Sequence, residues 1–219
     1  MQSENLSRRP LKSRNTRWAA ALAASLAKAG VKPNQISIAS IFFAGLAGAA
    51  FVYAGRFSSP LGGCMFLAAA AGIQLRLLCN LLDGMVAVEG GLRSKTGELF
   101  NEIPDRFADA LILIGAGYSA AHTSTCVTAG WLAAVMAIIT AYVRALGVAA
   151  GASQCFWGPM AKPHRMALLT AASIASALCA WLKFDCRIIE IALWLMAAGC
   201  AITIFRRCRQ IARELNSKP

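Results

Sequence analysis

From Asn34 to Phe205 the chain is a series of apolar runs, each about the 20 residues a helix needs to cross a hydrocarbon core. Six runs are read as spanning helices: 34–54, 61–82, 101–121, 125–150, 166–182 and 188–205. Hydrophobic residues make up 58% of the 219 residues and charged residues only 15%. A single chain of this length has no soluble core large enough to hide that much apolar surface. An aqueous enzyme, a disordered chain and a secreted disulfide scaffold are therefore excluded. The expected fold is an all-α integral membrane protein with six transmembrane helices and an N-terminal interfacial amphipathic helix.

That interfacial element is Trp18–Ala29, too short to span. Trp18, Leu22 and Leu26 recur every fourth residue and share one helical face. Arg8, Arg9, Lys12, Arg14 and Arg17 precede it and suit anionic headgroups. Three regions follow: a basic cytoplasmic segment with the interfacial helix over 1–33, a six-helix membrane domain over 34–205, and a basic cytoplasmic tail over 206–219.

The net charge of +12 would raise nucleic acid in a soluble protein. Here the bases lie at the ends and between apolar runs, so no nucleic-acid partner is expected. If both ends are cytoplasmic, sixteen of the 22 Lys and Arg residues fall on the inner side and three on the outer. That asymmetry sets both termini inside, in a cytoplasmic or inner membrane, with His122 in an outer loop. The eight cysteines form no C-x-x-C pair and mostly sit inside apolar runs, where they act as small hydrophobic residues.

Six of the ten acidic residues fall within 27 positions: Asp83, Glu89, Glu98, Glu102, Asp105 and Asp109. This window joins the second and third runs at the cytoplasmic face. Asn80 and Asp83 are spaced i, i+3 and share a helical face, as do Asn101, Asp105 and Asp109 at i, i+4, i+8. Two adjacent helices thus aim oxygen ligands at one another. Carboxylate and amide oxygens suit hard cations such as Mg²⁺ or Mn²⁺. Gly84 and Gly97 have no Cβ and permit close approach of a ligand. Glu89 and Glu98 read as solvated loop charges. Arg76, about a turn before Asn80, is placed to pair with an acidic ligand.

The stretch Asn80-Leu-Leu-Asp83-Gly84-Met-Val-Ala87-Val88, eight further residues, then Gly97-Glu-Leu-Phe-Asn101-Glu-Ile-Pro-Asp105 resembles the CDP-alcohol phosphatidyltransferase signature, D-x2-D-G-x2-A-R-x8-G-x3-D-x3-D. Lys32-Pro33-Asn34-Gln35-Ile36-Ser37 is similar to the entry to that family's first spanning helix. Asn80 and Asn101 stand where the first and third aspartates belong, and Val88 stands where the arginine belongs. The site carries two fewer negative charges in consequence. Glu102 and Asp109 are the nearby carboxylates able to restore charge, and Arg93 is the nearby arginine. Pro104 is read as setting the start of the third run's helix or kinking it.

The resemblance implies transfer of a phosphatidyl group from CDP-diacylglycerol to a small alcohol or alcohol phosphate, with release of CMP. It implies Mg²⁺ or Mn²⁺ held by Asn80, Asp83, Asn101 and Asp105, with Asp105 as the general base. It places Gly84, Ala87 and Gly97 at the nucleotide. Arg144, Lys162 and Arg165 would bind an acceptor phosphate, at an active site on the cytoplasmic face. Membrane lipids are partners, and a homodimer is expected. Two other readings stand beside it: a catalytically reduced relative that binds nucleotide-lipid or metal without turnover, and a cation transporter using intramembrane acidic residues.

Overall fold

The structure, a computed structural model, describes residues 16–57, 60–91, 96–120 and 123–218. Arg93 and His122 lie outside the described residues, as do the side chains of Glu89 and Glu98 and the basic residues 8–14. Among the described residues all regular structure is helical. Seven α-helices run in order: α1 (Arg17–Lys28), α2 (Pro33–Ala54), α3 (Leu61–Glu89), α4 (Gly97–Gly117), α5 (Ser124–Ala149), α6 (Lys162–Trp181) and α7 (Ile188–Asn216).

Local chemistry explains several of these boundaries. Pro33 opens α2, where its missing N–H costs nothing, and the Gln35 side chain accepts from the Lys32 N–H at 2.9 Å. Pro163 does the same for α6, which starts at Lys162, earlier than the apolar run that begins at Met166. Pro104 does not start α4. That helix begins at Gly97 and carries the proline inside it, where it has no N–H to give the Phe100 carbonyl.

The six long helices close into a ring in the spatial order α2, α3, α6, α7, α5, α4, each packed on its neighbours. Across the ring α3 and α4 scarcely touch through their backbones. Small residues set the tightest crossings. A Cβ built on Gly115 of α4 would lie 2.5 Å from the Gly48 Cα of α2, so these two backbones meet directly. Helix α1 lies against α3. Its Ala19 and Ala23 are fully buried there, Trp18 and Leu22 are exposed, and Leu26, expected on their face, packs partly buried against the same cluster.

Four helices are long and apolar enough to cross a membrane: α2, α3 over Leu61–Val88, α5 and α7. The chain is an integral membrane protein. The expected six spans are not all matched by apolarity. Helix α4 carries Glu98, Glu102, Asp105, Arg106 and Asp109 in its first 13 residues, and α6 opens on Lys162, His164 and Arg165. These charges sit at one end of the ring. Of the buried ionisable side chains in the described residues, Arg76, Asp83, Asp105, Asp109, Arg165 and Arg207 gather where α3 and α7 finish and α4 and α6 begin. Glu190, at the start of α7, is the exception.

Candidate active site

Asp83 projects from the last two turns of α3 and is 5% exposed. Its Oδ2 accepts from Ser37 Oγ of α2 at 2.8 Å, and its Oδ1 from the Gly84 N–H. Asp105, in the third turn of α4, is also buried. Its Oδ1 accepts from the Asn80 amide and from Arg76 Nη2 at 3.3 Å, and its Oδ2 is ion-paired with Lys162 of α6. Asn80 lies one turn from Asp83 on α3 and contacts Asp105 of α4. Both Asp105 and Lys162 lie within electrostatic reach of Asp83.

One turn deeper, Asp109 is fully buried between two arginines. Arg76 Nη2 donates to its Oδ1 at 2.6 Å and Arg165 Nη2 to its Oδ2 at 2.7 Å. The pair joins α3, α4 and α6 through one carboxylate. Arg165 also donates to the Met160 carbonyl at 2.9 Å. Arg207 of α7 donates to the Trp157 carbonyl at 3.0 Å and the Thr140 carbonyl at 2.6 Å. Arg165 and Arg207 thus each fix oxygens from more than one element, while Arg76 reaches α4 alone.

The structure brings Asn80, Asp83, Asp105, Lys162 and Arg165 to one end of the ring. Asn101, one turn before Asp105, is exposed. Gly84 and Ala87 are half-buried on α3, and Gly97 is the first residue of α4. Arg144 is placed differently from Lys162 and Arg165. It pairs with Glu102, which also takes Arg106, and its guanidinium sits 5.6 Å from the centre of the Phe156 ring. Glu102, Arg106, Tyr142 and Arg144 line a cavity of about 500 Å³ between α4 and α5. Neither Glu102 nor Asp109 is free to add charge beside Asp83, since arginines engage both.

In the sequence Ser37 is marked only as part of a helix entry, and no motif marks Thr140 or Arg207. A signal for Arg207 existed. Met196, Cys200, Thr203 and Arg207 continue one buried stripe at i, i+4, i+7, i+11, beyond the end of the apolar run at Phe205.

The oxygen set comprises two buried carboxylates and the amides of Asn80 and Asn101. No cluster of three or more His, Cys, Asp or Glu residues suited to a metal occurs among the described residues. Carboxylate and amide oxygens are nonetheless the donors a hard divalent ion selects. Asp83, whose partners are both neutral, is the carboxylate that fits one.

No family model matches the chain. It is 34% identical over 115 residues, or 52% of its length, to a Rubrobacter xylanophilus protein named bifunctional IPC transferase and DIPP synthase. The match spans only 24% of that protein's length. It is 26% identical over 193 residues to an uncharacterized protein of Aquifex aeolicus, covering 87% of each. Among solved structures, the phosphatidylinositol phosphate synthase of Mycobacterium tuberculosis with CDP-DAG bound superposes with a TM-score of 0.76 at 20% identity, over 90% of this chain and 94% of that one. The same synthase in complex with manganese and citrate gives 0.74 at 19% identity, over 89% of this chain and 88% of that one.

Proposed function

We propose that this chain, which has the fold of the CDP-alcohol phosphatidyltransferases, transfers a phosphatidyl group from CDP-diacylglycerol to a small alcohol and releases CMP. The observation that carries the reading is the contact of Asn80 with Asp105 between α3 and α4, with Asp83 buried one turn from Asn80, at the spacing of the family's signature. The four apolar helices and the membrane-enzyme fold support it. All six helices of the ring would span the bilayer, with both termini and the site on the cytoplasmic side. The acyl chains of the donor would then stay in lipid while its headgroup enters the site. A homodimer is the assembly implied by the resemblance.

In this reading Asp83, Asn80 and Asn101 hold Mg²⁺ or Mn²⁺. Such an ion, when bound, neutralises charge on the pyrophosphate. The chemistry assigned to the chain's own residues centres on Asp105. It takes the proton of the acceptor hydroxyl as that oxygen bonds to the phosphatidyl phosphorus and the bond from phosphorus to CMP breaks. Arg76 and Asn80 position the Asp105 carboxylate through its Oδ1. Ser37 does the same for Asp83. Gly84, Ala87 and Gly97 border the nucleotide. Lys162 and Arg165 lie beside Asp105 and Asp109 and would meet a phosphate on the acceptor. Arg144 would reach an acceptor only from the α4–α5 side.

A second reading, a relative that binds nucleotide-lipid without turnover, draws on Asn80, Asn101 and the engagement of both Asp105 oxygens. One assay separates the two. Purified protein is incubated with CDP-diacylglycerol and Mg²⁺ or Mn²⁺, and CMP release is measured against a panel of alcohols and alcohol phosphates. Release that depends on both acceptor and metal supports the transferase. Nucleotide-lipid binding with no release under any condition supports the reduced relative.

A further inference from the structure

Resting on that phosphotransfer reading, we infer that the Lys162 ammonium is a built-in cation of the site, fixed on Asp105 where a second divalent ion would otherwise bind, so that this chain takes one divalent ion where the full four-aspartate signature has charge for two.

The charges decide it. Four carboxylates balance two divalent ions, and this chain offers two, Asp83 and Asp105. Asp105 is already compensated: its Oδ2 pairs with Lys162, and its Oδ1 accepts from Asn80 and, at 3.3 Å, from Arg76. Asp83 is not. Its oxygens accept from the Ser37 hydroxyl and the Gly84 N–H, both neutral, and among the described residues no Lys or Arg is ion-paired with it. A buried carboxylate with no ion pair of its own is the one with most to gain from a metal ion. Asp109 offers nothing further, since Arg76 and Arg165 hold its two oxygens.

The two asparagines belong to the same arrangement. An aspartate at position 80 would put two carboxylates in direct contact, which calls for a cation or a shared proton between them. Asparagine makes that contact a hydrogen bond and removes the need. Lys162 is delivered by the fold rather than by chance, because it is the first residue of α6 and Pro163 fixes the turn that carries it. A second divalent ion at Asp105 would have to displace the ammonium and would face Arg76 as well. Mg²⁺ also sheds its water reluctantly, which favours the resident ammonium.

The test counts ions. Full-length protein in detergent, with CDP present, is titrated with Mn²⁺ and bound manganese is read by electron paramagnetic resonance. CMP release is measured on the same preparation. The parent is expected to bind one Mn²⁺ per chain. Asn80→Asp with Lys162 retained should stay at one, and Asn80→Asp combined with Lys162→Gln should reach two. A parent that binds two or none overturns the inference, and this count needs no variant to fold. So does a folded double variant that stays at one, or an Asn80→Asp single variant that already binds two. A parent with two ions and acceptor-dependent CMP release removes the one-ion site and leaves the transferase standing. A parent with one ion and no release with any acceptor removes the transferase and leaves the ion count standing.

Discussion

Arg76 of α3 donates to Asp109 of α4 across 2.6 Å, and so ties together two helices whose backbones scarcely touch. Arg165 closes the other side of the same carboxylate from α6. Breaking a buried pair by removing one partner leaves an uncompensated charge and costs about 3–5 kcal/mol. Asp109→Asn should therefore lower the thermal unfolding midpoint in detergent clearly. Asp109→Ala should do so at least as strongly, because it also opens a cavity. An unchanged midpoint in both variants would mean that this contact does not hold the site's three helices together.

Ser37 reaches Asp83 from a different helix, at 2.8 Å. It touches the aspartate rather than the reacting atoms, so its effect should pass through the metal. Loss of such a supporting hydrogen bond typically weakens metal affinity by about 10–100-fold. Ser37→Ala should raise the Mn²⁺ concentration needed for half-maximal CMP release, with the rate at saturating metal largely kept. Ser37→Thr, which retains the hydroxyl, should behave nearly as the parent. Equal losses at all metal concentrations would assign Ser37 a packing role instead.

The legible part of this site is the part written locally. The i, i+3 spacing of Asn80 and Asp83 and the i, i+4, i+8 spacing of Asn101, Asp105 and Asp109 follow from helix geometry, and the structure puts Asn80 of α3 against Asp105 of α4. The exposure of Asn101 at the start of α4 was not evident from spacing. Nor was the pairing of Lys162 with Asp105, 57 positions apart. That contact depends on which helices neighbour one another, and close approaches such as Gly48 against Gly115 help to set that order. Arg144 shows the same limit. Its charge suggests a phosphate, while the fold gives it Glu102 and the face of Phe156. The number of spans is the reverse case. Hydropathy finds the apolar helices, but α4 and α6 trade apolarity for the charges that build the site.

Topology has its own test. With α4 and α6 spanning, reporter fusions at Lys218 and at Thr123, between α4 and α5, should report opposite sides, with Lys218 cytoplasmic. Fusions at Glu102 and Lys162 should not be needed to decide it. The same side for both reporters would remove α6, the charged helix among the three that separate them, from the bilayer.

Asp105→Asn is the substitution on which the mechanism depends. The exchange is close to isosteric, and Arg76 keeps Asp109 as its nearer partner, at 2.6 Å against 3.3 Å. Lys162 loses its carboxylate, but its side chain is 25% exposed and water can reach it. The fold should therefore survive, with a small change in unfolding midpoint. CMP release should fall by about 10²–10⁴-fold, the usual cost of a lost general base. Mn²⁺ binding should largely persist, because Asp83 remains. Asn101→Asp should act in the opposite sense on metal. It adds a carboxylate near the ion and should lower the Mn²⁺ concentration for half-maximal release. If the acceptor is itself anionic, the added charge should also raise its KM. Full CMP release by Asp105→Asn would remove the assigned base.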